Sequence, residues 1–246
     1  MAKTDSLNTY SLAHLHSAVS AGEALNKEVI DTFIQHFNVR IRDGYGQTEN
    51  TLLIGTLHGN DHRIGSMGRP LLEGFVEVVD DNGQPCPADI VGNIALKKEF
   101  PALFALYYKD PERTKNAFKG DYYITGDQAY KDEDGYFWFQ GRSDDIIISS
   151  GYTIGPFEVE EALMKHESVK ECAVISHPDE LRGSVVKAVI VLKDGVSESD
   201  SLKREIQQFV KTQTAPYKYP RIIEFRTELP KTDSGKIKRR DLRVLV

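Results

Sequence analysis

Apolar residues recur at helical spacing near the start of the chain. Leu25, Val29, Phe33 and Phe37 follow one another every four residues, and this apolar stripe predicts a helix over residues 22–37. The sequence NVRIRDGYGQTEN comes next, and we expect it to run from a short strand into a glycine-rich turn.

The pattern changes to short strands separated by turns over residues 64–140. GFVEVVDDNGQP alternates between apolar and polar residues up to a DDNG turn, and VGNIALK follows as its expected partner strand. A second pair of strands, DYYITGDQAY and YFWFQGR, is separated by the acidic turn DEDG. We therefore predict a β-rich region that forms part of a distorted barrel or a small sheet.

Helices and strands alternate in the remainder of the chain. The Gly-Pro pair at 155–156 predicts a helix start, because proline at the first helical position lacks an N–H that would have no partner there. Two strands, an amphipathic helix capped by Ser199 or Asp200, and a third strand follow, an order that indicates a compact α+β domain. The expected fold class is α/β and α+β, with domains at residues 1–141 and 142–246.

Composition excludes several classes of protein. The 246 residues suffice for one large or two ordinary domains, and no apolar run approaches the ~18 residues of a membrane span. The start MAKTDSLNTY has no targeting pattern, and two cysteines, Cys86 and Cys172, lack metal-site spacing, which favours a reducing, cytoplasmic setting. The net charge of -6 argues against nucleic-acid binding, and the basic end of the chain has no aromatic residues for base stacking.

The segment GYGQTEN is the first candidate site. Gly44 and Gly46 flank Tyr45, so a planar base can approach the aromatic ring closely. Thr48 can bond a phosphate oxygen, and the carboxylate of Glu49 can hold Mg²⁺ near phosphates. An ordinary glycine-rich turn ahead of a strand explains the same residues equally well.

Three further residues can serve the same ligand. The carboxylate of Asp127 can accept hydrogen bonds from both hydroxyls of a ribose, and the planar fork of Arg142 can close on the sugar from the other side. A turn aspartate and a surface arginine are the alternative. Lys236 follows Ser-Gly on a loop and can stabilise charge that develops on a transferring phosphate and carboxylate. The sequence G-x-x-x-x-G-K-[ST] is absent, which excludes a P-loop NTPase.

Five blocks together resemble the adenylate-forming enzymes, which include acyl-CoA synthetases, firefly luciferase and the adenylation domains of peptide synthetases. The blocks are DGYGQTE, GSMGRP, YITGD, GRSDDIIISSGYTIGPFEVEEAL and PKTDSGKI. Nearly the whole chain is covered, and TAPYKYPRIIEF is most similar to the medium-chain acyl-CoA synthetase branch. The resemblance implies that residues 1–141 end a large AMP-binding domain and that residues 142–246 are the small C-terminal lid domain.

The resemblance also implies a two-step ligation. A carboxylic acid of short to medium chain length attacks ATP to give acyl-AMP and pyrophosphate, and CoA then takes the acyl group and releases AMP. ATP, AMP, Mg²⁺ and CoA are thus the expected ligands. Tyr45 would stack on adenine beside Gly46, Thr48 would contact phosphate, and Glu49 would bind Mg²⁺.

The remaining roles follow from the same resemblance. Asp127 and Arg142 would hold the ribose, and Lys236 would be the adenylation lysine. Asp144 would be the hinge about which the small domain rotates, and a side chain at Gly151 would obstruct the pantetheine arm of CoA. The segment SAGE at positions 20–23 would lie near the acyl and nucleotide pocket.

The chain departs from the family pattern in two ways. It contains no loop of the TSGTTGxPK kind, so we expect a C-terminal half that is inactive in adenylation by itself. Thr153 also replaces an arginine that is usual in close relatives. The alternatives are a non-catalytic remnant or one half of a split enzyme, completed by an N-terminal half or self-associating. A peptide-synthetase adenylation domain is a third reading, though the chain ends soon after Gly235 with no carrier domain.

Overall fold

The computed structural model divides into two compact units, Met1–Phe139 and Gln140–Val246, and each is described by itself. The described residues are 9, 11–22, 25, 27–59, 61–233 and 235–243. Helices and strands occur in both units, so the predicted mixed α/β fold is confirmed. Assignment of the units to a large and a small enzyme domain stays a prediction.

One sheet of the first unit contains four strands and one associated helix. These are β1 (Ala18–Ala21), α1 (Lys27–Phe37), β2 (Ile41–Gln47), β3 (Thr51–Gly55) and β4 (Arg69–Pro70). The sheet order is β1-β2-β3-β4, with β1 and β2 parallel and the other pairs antiparallel. The predicted apolar stripe is confirmed where Leu25 and Phe33 pack in one cluster. The helix begins at Lys27 rather than residue 22, since Gly22 has a φ of 93° that is incompatible with a helix.

The prediction of a glycine-rich turn at Gly44–Gly46 is wrong. Both glycines lie within β2, and the pairing register with β3 shifts between Tyr45 and Gly46. A Cβ on Gly46 would lie 1.9 Å from the carbonyl oxygen of Thr51, so only glycine fits this close approach of two strands. The turn comes later, at residues 48–50.

A second sheet contains five strands, and the boundary between the units falls within the last of them, after Phe139. These are β5 (Val76–Val79), β6 (Gly92–Lys97), β7 (Phe118–Lys119), β8 (Tyr122–Lys131) and β9 (Phe137–Arg142), and the helix α2 (Pro111–Asn116) precedes β7. Both predicted strand pairs are confirmed, because β5 pairs with β6 and β9 pairs with β8. Fully buried residues such as Ile94, Leu96 and Phe137 form the core against the first sheet's Leu53 and Ile54.

The second unit is an α+β arrangement built on a three-stranded sheet. Its elements are β10 (Ile147–Ser149), β11 (Tyr152–Ile154), α3 (Pro156–Met164), β12 (Val169–Asp179), β13 (Gly183–Leu192), α4 (Asp200–Gln213), β14 (Ile222–Phe225) and α5 (Arg239–Arg243). The sheet order is β12-β13-β14, antiparallel and then parallel. The predicted order of helices and strands is confirmed, and so is the cap on α4, where Ser199 accepts from the N–H of Leu202. The β10–β11 hairpin and α5 were not predicted.

Both faces of this sheet are covered. Val174 and Ala188 belong to a cluster that includes residues of α3 and α4, whereas Ala173 and Val189 pack on the other face with Leu242 of α5. Successive residues of a strand point to opposite faces, so a strand buried on both sides is largely apolar. Among the described ranges, no helix is long and apolar enough to cross a membrane.

Asp43 on β2 is a partly buried carboxylate whose Oδ1 accepts a 2.8 Å hydrogen bond from the N–H of Gly44. Burial raises the pKa of this carboxyl to about 6, although backbone N–H groups of Gly44 and Leu25 lower it. Because the folded pKa exceeds the ordinary value of 3.8, the folded state binds more protons between these two pH values. Stability should therefore fall as the pH rises through this window.

We expect Asp43→Asn to raise Tm more at about pH 7 than at about pH 4, since asparagine keeps an acceptor oxygen and has no charge to bury. Thermal unfolding of the 246-residue chain at both pH values measures the difference, for which the shift sets an upper limit of about 3 kcal/mol. Asp121→Asn, at an exposed position, is the matched control. The same Tm change at both pH values would contradict the assignment.

Candidate active site

Tyr45 and Asp127, two of the predicted nucleotide-binding residues, meet in the first unit. Tyr45 lies on β2 and Asp127 lies on β8, and these strands belong to different sheets. The hydroxyl of Tyr45 donates a 2.7 Å hydrogen bond to Oδ2 of Asp127. Two motifs that are 82 residues apart in sequence are thus joined at one point.

Gln47 is the third member of this group, and sequence reasoning did not single it out. Its Nε2 donates to Oδ2 of Asp127 at 2.7 Å and to the carbonyl oxygen of Thr125 at 2.9 Å. Its Oε1 accepts from the hydroxyl of Tyr123 at 3.1 Å. The sequence signal that could have found Gln47 is its position inside GYGQTEN, directly after Gly46.

The Asp127 carboxylate accepts hydrogen bonds from two neutral donors, the Tyr45 hydroxyl and the Gln47 side-chain amide. It is only 6% exposed, and a buried carboxylate requires such partners. Burial raises the pKa of Tyr45, and the negative charge of Asp127 raises it further. Burial likewise raises the pKa of Tyr123. Both tyrosines therefore stay protonated, and the carboxylate can act as a charged acceptor for hydroxyl groups of a ligand.

Thr48 and Glu49 lie in the turn between β2 and β3. Thr48 is exposed, and Oε1 of Glu49 accepts a 3.0 Å hydrogen bond from the hydroxyl of Tyr107. Oδ1 of the buried Asn50 accepts from the N–H of Gln47 at 2.9 Å, which closes the turn. The turn therefore carries a hydroxyl and a carboxylate on the two residues that directly follow Gln47, a hydrogen-bond partner of Asp127.

The turn at residues 48–50 could bind Mg²⁺ only together with the phosphates of a nucleotide. The described residues contain no group of three or more His, Cys, Asp and Glu that could hold a metal ion. Mg²⁺ is commonly bound through one or two carboxylates together with the phosphates of a substrate. A single carboxylate such as Glu49 is compatible with a magnesium ion that arrives with a nucleotide.

The segment at positions 20–23 is placed in part beside the same strand. Ser20 and Ala21 lie on β1, where they pair with Asp43 and Gly44 of β2. Glu23 lies outside the described residues. This register brings the first two residues of the segment next to the strand that carries Tyr45.

The predicted residues at the start of the second unit are exposed. Nε of Arg142 lies 3.4 Å from Oδ1 of Asp144, and both side chains are more than half exposed. Gly151 has a φ of 81° in the two-residue turn between β10 and β11, where Ser150 has a φ of 50°. A Cβ on Gly151 would meet no atom of the chain within 4 Å, so the backbone conformation explains this glycine. Its role toward pantetheine stays a prediction.

Lys236 lies on an exposed loop after β14. A bridge between Lys231 and Ile237 closes the loop, and Ser234 lies outside the described residues. Asp127 belongs to the first unit, whereas Arg142 and Lys236 belong to the second. That the three side chains serve one nucleotide stays a prediction.

Two family profiles match the chain. The profile described as "AMP-binding enzyme" matches residues 1–108, and the profile described as "AMP-binding enzyme C-terminal domain" matches residues 158–236. The first match includes Tyr45, Thr48 and Glu49, and the second ends at Lys236. The two matches lie in the order that the sequence motifs predicted.

Curated relatives match along almost the whole chain. An uncharacterized acyl-CoA ligase YtcI of Bacillus subtilis is 58% identical over 99% of this chain. The human mitochondrial acyl-coenzyme A synthetase ACSM3 is 47% identical over 96% of this chain. The chain spans 46% and 41% of the lengths of these relatives, which is less than half of each.

Solved structures show the same relationship. The anthranilate CoA ligase AuaEII, in complex with anthranoyl-AMP, is 40% identical with a TM-score of 0.89 over 99% of this chain and 47% of its own. ATP-bound MatB from Rhodopseudomonas palustris is 27% identical, with a TM-score of 0.89 over 99% of this chain and 48% of its own. The resemblance predicted from the motifs is thus confirmed: the chain belongs to the AMP-binding enzyme family, whose adenylate-forming members include these acyl-CoA ligases.

Proposed function

We propose that this chain serves an AMP-forming acid–thiol ligase and supplies its adenosine-binding carboxylate and its adenylation lysine. The observation that carries the proposal is the hydrogen bond between Tyr45 and Asp127, because it joins two predicted nucleotide-binding motifs in one place. The relatives named as acyl-CoA ligases, and the solved relative that contains anthranoyl-AMP, support the same reading.

The first half-reaction makes an acyl-adenylate. An oxygen of the substrate carboxylate attacks the α-phosphorus of ATP, and the bond to pyrophosphate breaks. Asp127 accepts hydrogen bonds from the ribose hydroxyls, since a carboxylate offers about four acceptor positions. The hydrogen bonds from Tyr45 and Gln47 fix the orientation of this carboxylate. Arg142 donates to the same sugar, and Tyr45 presents its ring to adenine.

In this proposal, Thr48, Lys236 and Mg²⁺ balance the charge on the reacting groups. Thr48 donates its hydroxyl to a phosphate oxygen, and Lys236 brings a positive charge to the transferring phosphate and carboxylate. Mg²⁺, bound by Glu49 and the phosphates, would neutralise phosphate charge when ATP binds. Both the phosphate and the carboxylate are anionic, so cations are needed for their approach.

The second half-reaction forms a thioester. The sulfur of CoA, after loss of its proton to solvent, attacks the acyl carbonyl, and AMP leaves with the electron pair of the mixed anhydride bond. In this proposal Asp144 is the hinge about which the small domain rotates between the two half-reactions. The turn at Gly151 leaves room for the pantetheine arm of CoA. We propose short- to medium-chain acids as substrates, because TAPYKYPRIIEF resembles the medium-chain acyl-CoA synthetase branch and the ACSM relatives are named acyl-coenzyme A synthetases.

A second candidate function is a module that acts only with a partner chain. Several large apolar side chains of the first unit are more than half exposed, namely Val19, Leu57, Ile90, Leu106 and Tyr108. Such surfaces favour association with another protein surface. Neither Cys86 nor Cys172 forms a disulfide bond, which suits the proposed reducing, cytoplasmic location. Co-expression with the N-terminal half of a relative, followed by size-exclusion chromatography, distinguishes this candidate from a self-sufficient chain.

We expect no ATP–pyrophosphate exchange by the 246-residue chain alone with acids from acetate to decanoate, because these residues contain no serine- and glycine-rich loop for the β- and γ-phosphates. Radiolabelled pyrophosphate incorporation measures this. A relative of full length is the positive control. Robust exchange by this chain alone would refute the expectation.

We expect Asp127→Asn to weaken AMP binding by the chain by about tenfold or more, since a charged acceptor for the ribose hydroxyls is lost. Isothermal titration calorimetry with AMP measures the affinity. Asp121→Asn is the matched control on an exposed carboxylate six residues earlier in the sequence. Equal AMP affinity of the Asp127 variant and the wild type would argue against the ribose role.

We expect Lys236→Ala to abolish adenylation and to spare most thioester formation from supplied acyl-AMP, since the lysine acts on charge that develops in the first step. The enzyme for this test fuses the preceding half of the Bacillus subtilis relative to this chain. Lys238→Ala, at an exposed position two residues away, is the control. Equal loss in both half-reactions would contradict the assigned role.

A further inference from the structure

The backbone of Lys236 is held by the side chain and the backbone of a single residue, Thr232. Oγ1 of Thr232 accepts a 3.0 Å hydrogen bond from the N–H of Lys236, and the N–H of Thr232 donates to the carbonyl oxygen of Lys236 at 2.8 Å. The N–H of Gly235 also donates to the carbonyl oxygen of Thr232, at 2.8 Å. Both hydrogen-bonding groups of the Lys236 backbone are therefore bonded to Thr232.

The chain that follows Lys236 is attached to the interior of the second unit by a buried ion pair. NH2 of Arg239 lies 2.8 Å from each carboxylate oxygen of Glu160 on α3. Glu160 is 8% exposed, and its Oε1 also accepts from the N–H of Val174 on β12 at 2.8 Å. One carboxylate thus connects a helix, the central sheet and the segment that carries Lys236.

A second pair of opposite charges extends this connection. Oδ1 of Asp145 accepts from NH2 of Arg243 on α5, and Oδ2 of Asp145 lies 3.9 Å from NH1 of Arg239. Asp145 is buried and directly follows Asp144, the proposed hinge. The two carboxylates and two guanidinium groups balance in charge here. The attraction in a buried ion pair offsets the loss of hydration only when the charged groups keep their geometry.

Apolar packing completes the attachment. Leu242 of α5 is fully buried in the cluster on the outer face of the sheet, and Ile237, next to Lys236, packs against the same cluster. Lys236 itself is exposed. The loop therefore has an immobilised base and an exposed end that carries the lysine.

We infer that Thr232 and the Arg239–Glu160 pair are positioning residues for Lys236, one acting before the lysine in the chain and one after it. The inference rests on the proposed function, in which Lys236 must reach a transferring phosphate. A cation on a flexible side chain is effective only when its backbone is placed correctly, and errors of about 1 Å lower rates strongly. Neither Thr232 nor Glu160 touches the reacting atoms in this scheme.

The first test replaces Thr232 in the 246-residue chain. Thr232→Val keeps the shape of the side chain and removes the hydroxyl, whereas Thr232→Ser keeps the hydroxyl. We expect hydrogen exchange of the Lys236 amide, measured by NMR, to rise about tenfold in the valine variant and to return to the wild-type rate in the serine variant. Tm should change little in either, because the loop is exposed.

The second test replaces Arg239 by lysine, which keeps the charge and removes the planar guanidinium that reaches both Glu160 and Asp145. We expect amide exchange at Ile237 and Lys238 to rise about tenfold while the amides of β12 keep their rates. Arg240→Lys, at the exposed neighbouring position, is the matched control and should leave all of these rates unchanged.

The outcomes separate this inference from the proposed function. Unchanged exchange at Lys236 in Thr232→Val overturns the inference, and so does a uniform rise across the second unit in Arg239→Lys, because that is a loss of stability without positioning. AMP titrations of the Asp127 variant decide the proposed function independently. The chain could fail to bind AMP and still show a local rise in exchange that Thr232→Ser reverses. In that case Thr232 and Arg239 would still position Lys236, and only the assigned role of the lysine in adenylation would be removed.

Discussion

Burial of a charged carboxylate is the constraint on which the first unit depends. Asp127 is almost inaccessible to water, so its charge must be met by donors from the protein. Tyr45 and Gln47 supply them from β2, a strand of the other sheet. The requirement to satisfy one carboxylate therefore fixes the relation between two strands that carry different sequence motifs. Binding chemistry and fold stability depend here on the same atoms.

The second unit uses buried charge for a different purpose. Glu160 and Asp145 are both buried, and each is bonded to an arginine of α5. Burial raises the pKa of Glu160, and the positive charge of Arg239 opposes that shift. The helix is only five residues long, so its own hydrogen bonds contribute little to its stability. Its ion pairs and Leu242 hold it against the sheet.

Local pattern predicted most elements, and non-local contacts account for what it missed. The strands β12 and β13 and the cap Ser199 were predictable because apolar runs and capping residues act over a few positions. Gly44 and Gly46 were misread as turn residues although both lie within β2, and at Gly46 a close approach to the backbone of Thr51 needs glycine just as a turn does. The bond between Glu160 and Arg239 spans 79 residues, and nothing in a helical charge pattern distinguishes a buried glutamate from an exposed one. Gln47 was missed for the same reason, because its partners come from a distant strand.

The contrast between Gly44 and Gly46 has a consequence for attempts to alter this protein by directed evolution. At position 44 the only tight contact of a Cβ would be a methyl group of Leu52 at 3.0 Å, and a flexible leucine can move aside, whereas the carbonyl oxygen of Ile54 at 3.8 Å is at ordinary contact distance. At position 46 the obstacle is the peptide backbone of Thr51 and Leu52, which has no alternative rotamer. A library randomised at both codons should retain diversity at the first and return almost pure glycine at the second. Changes next to Tyr45 in the sequence are therefore accessible through Gly44, with Leu52 as the side chain that must adjust.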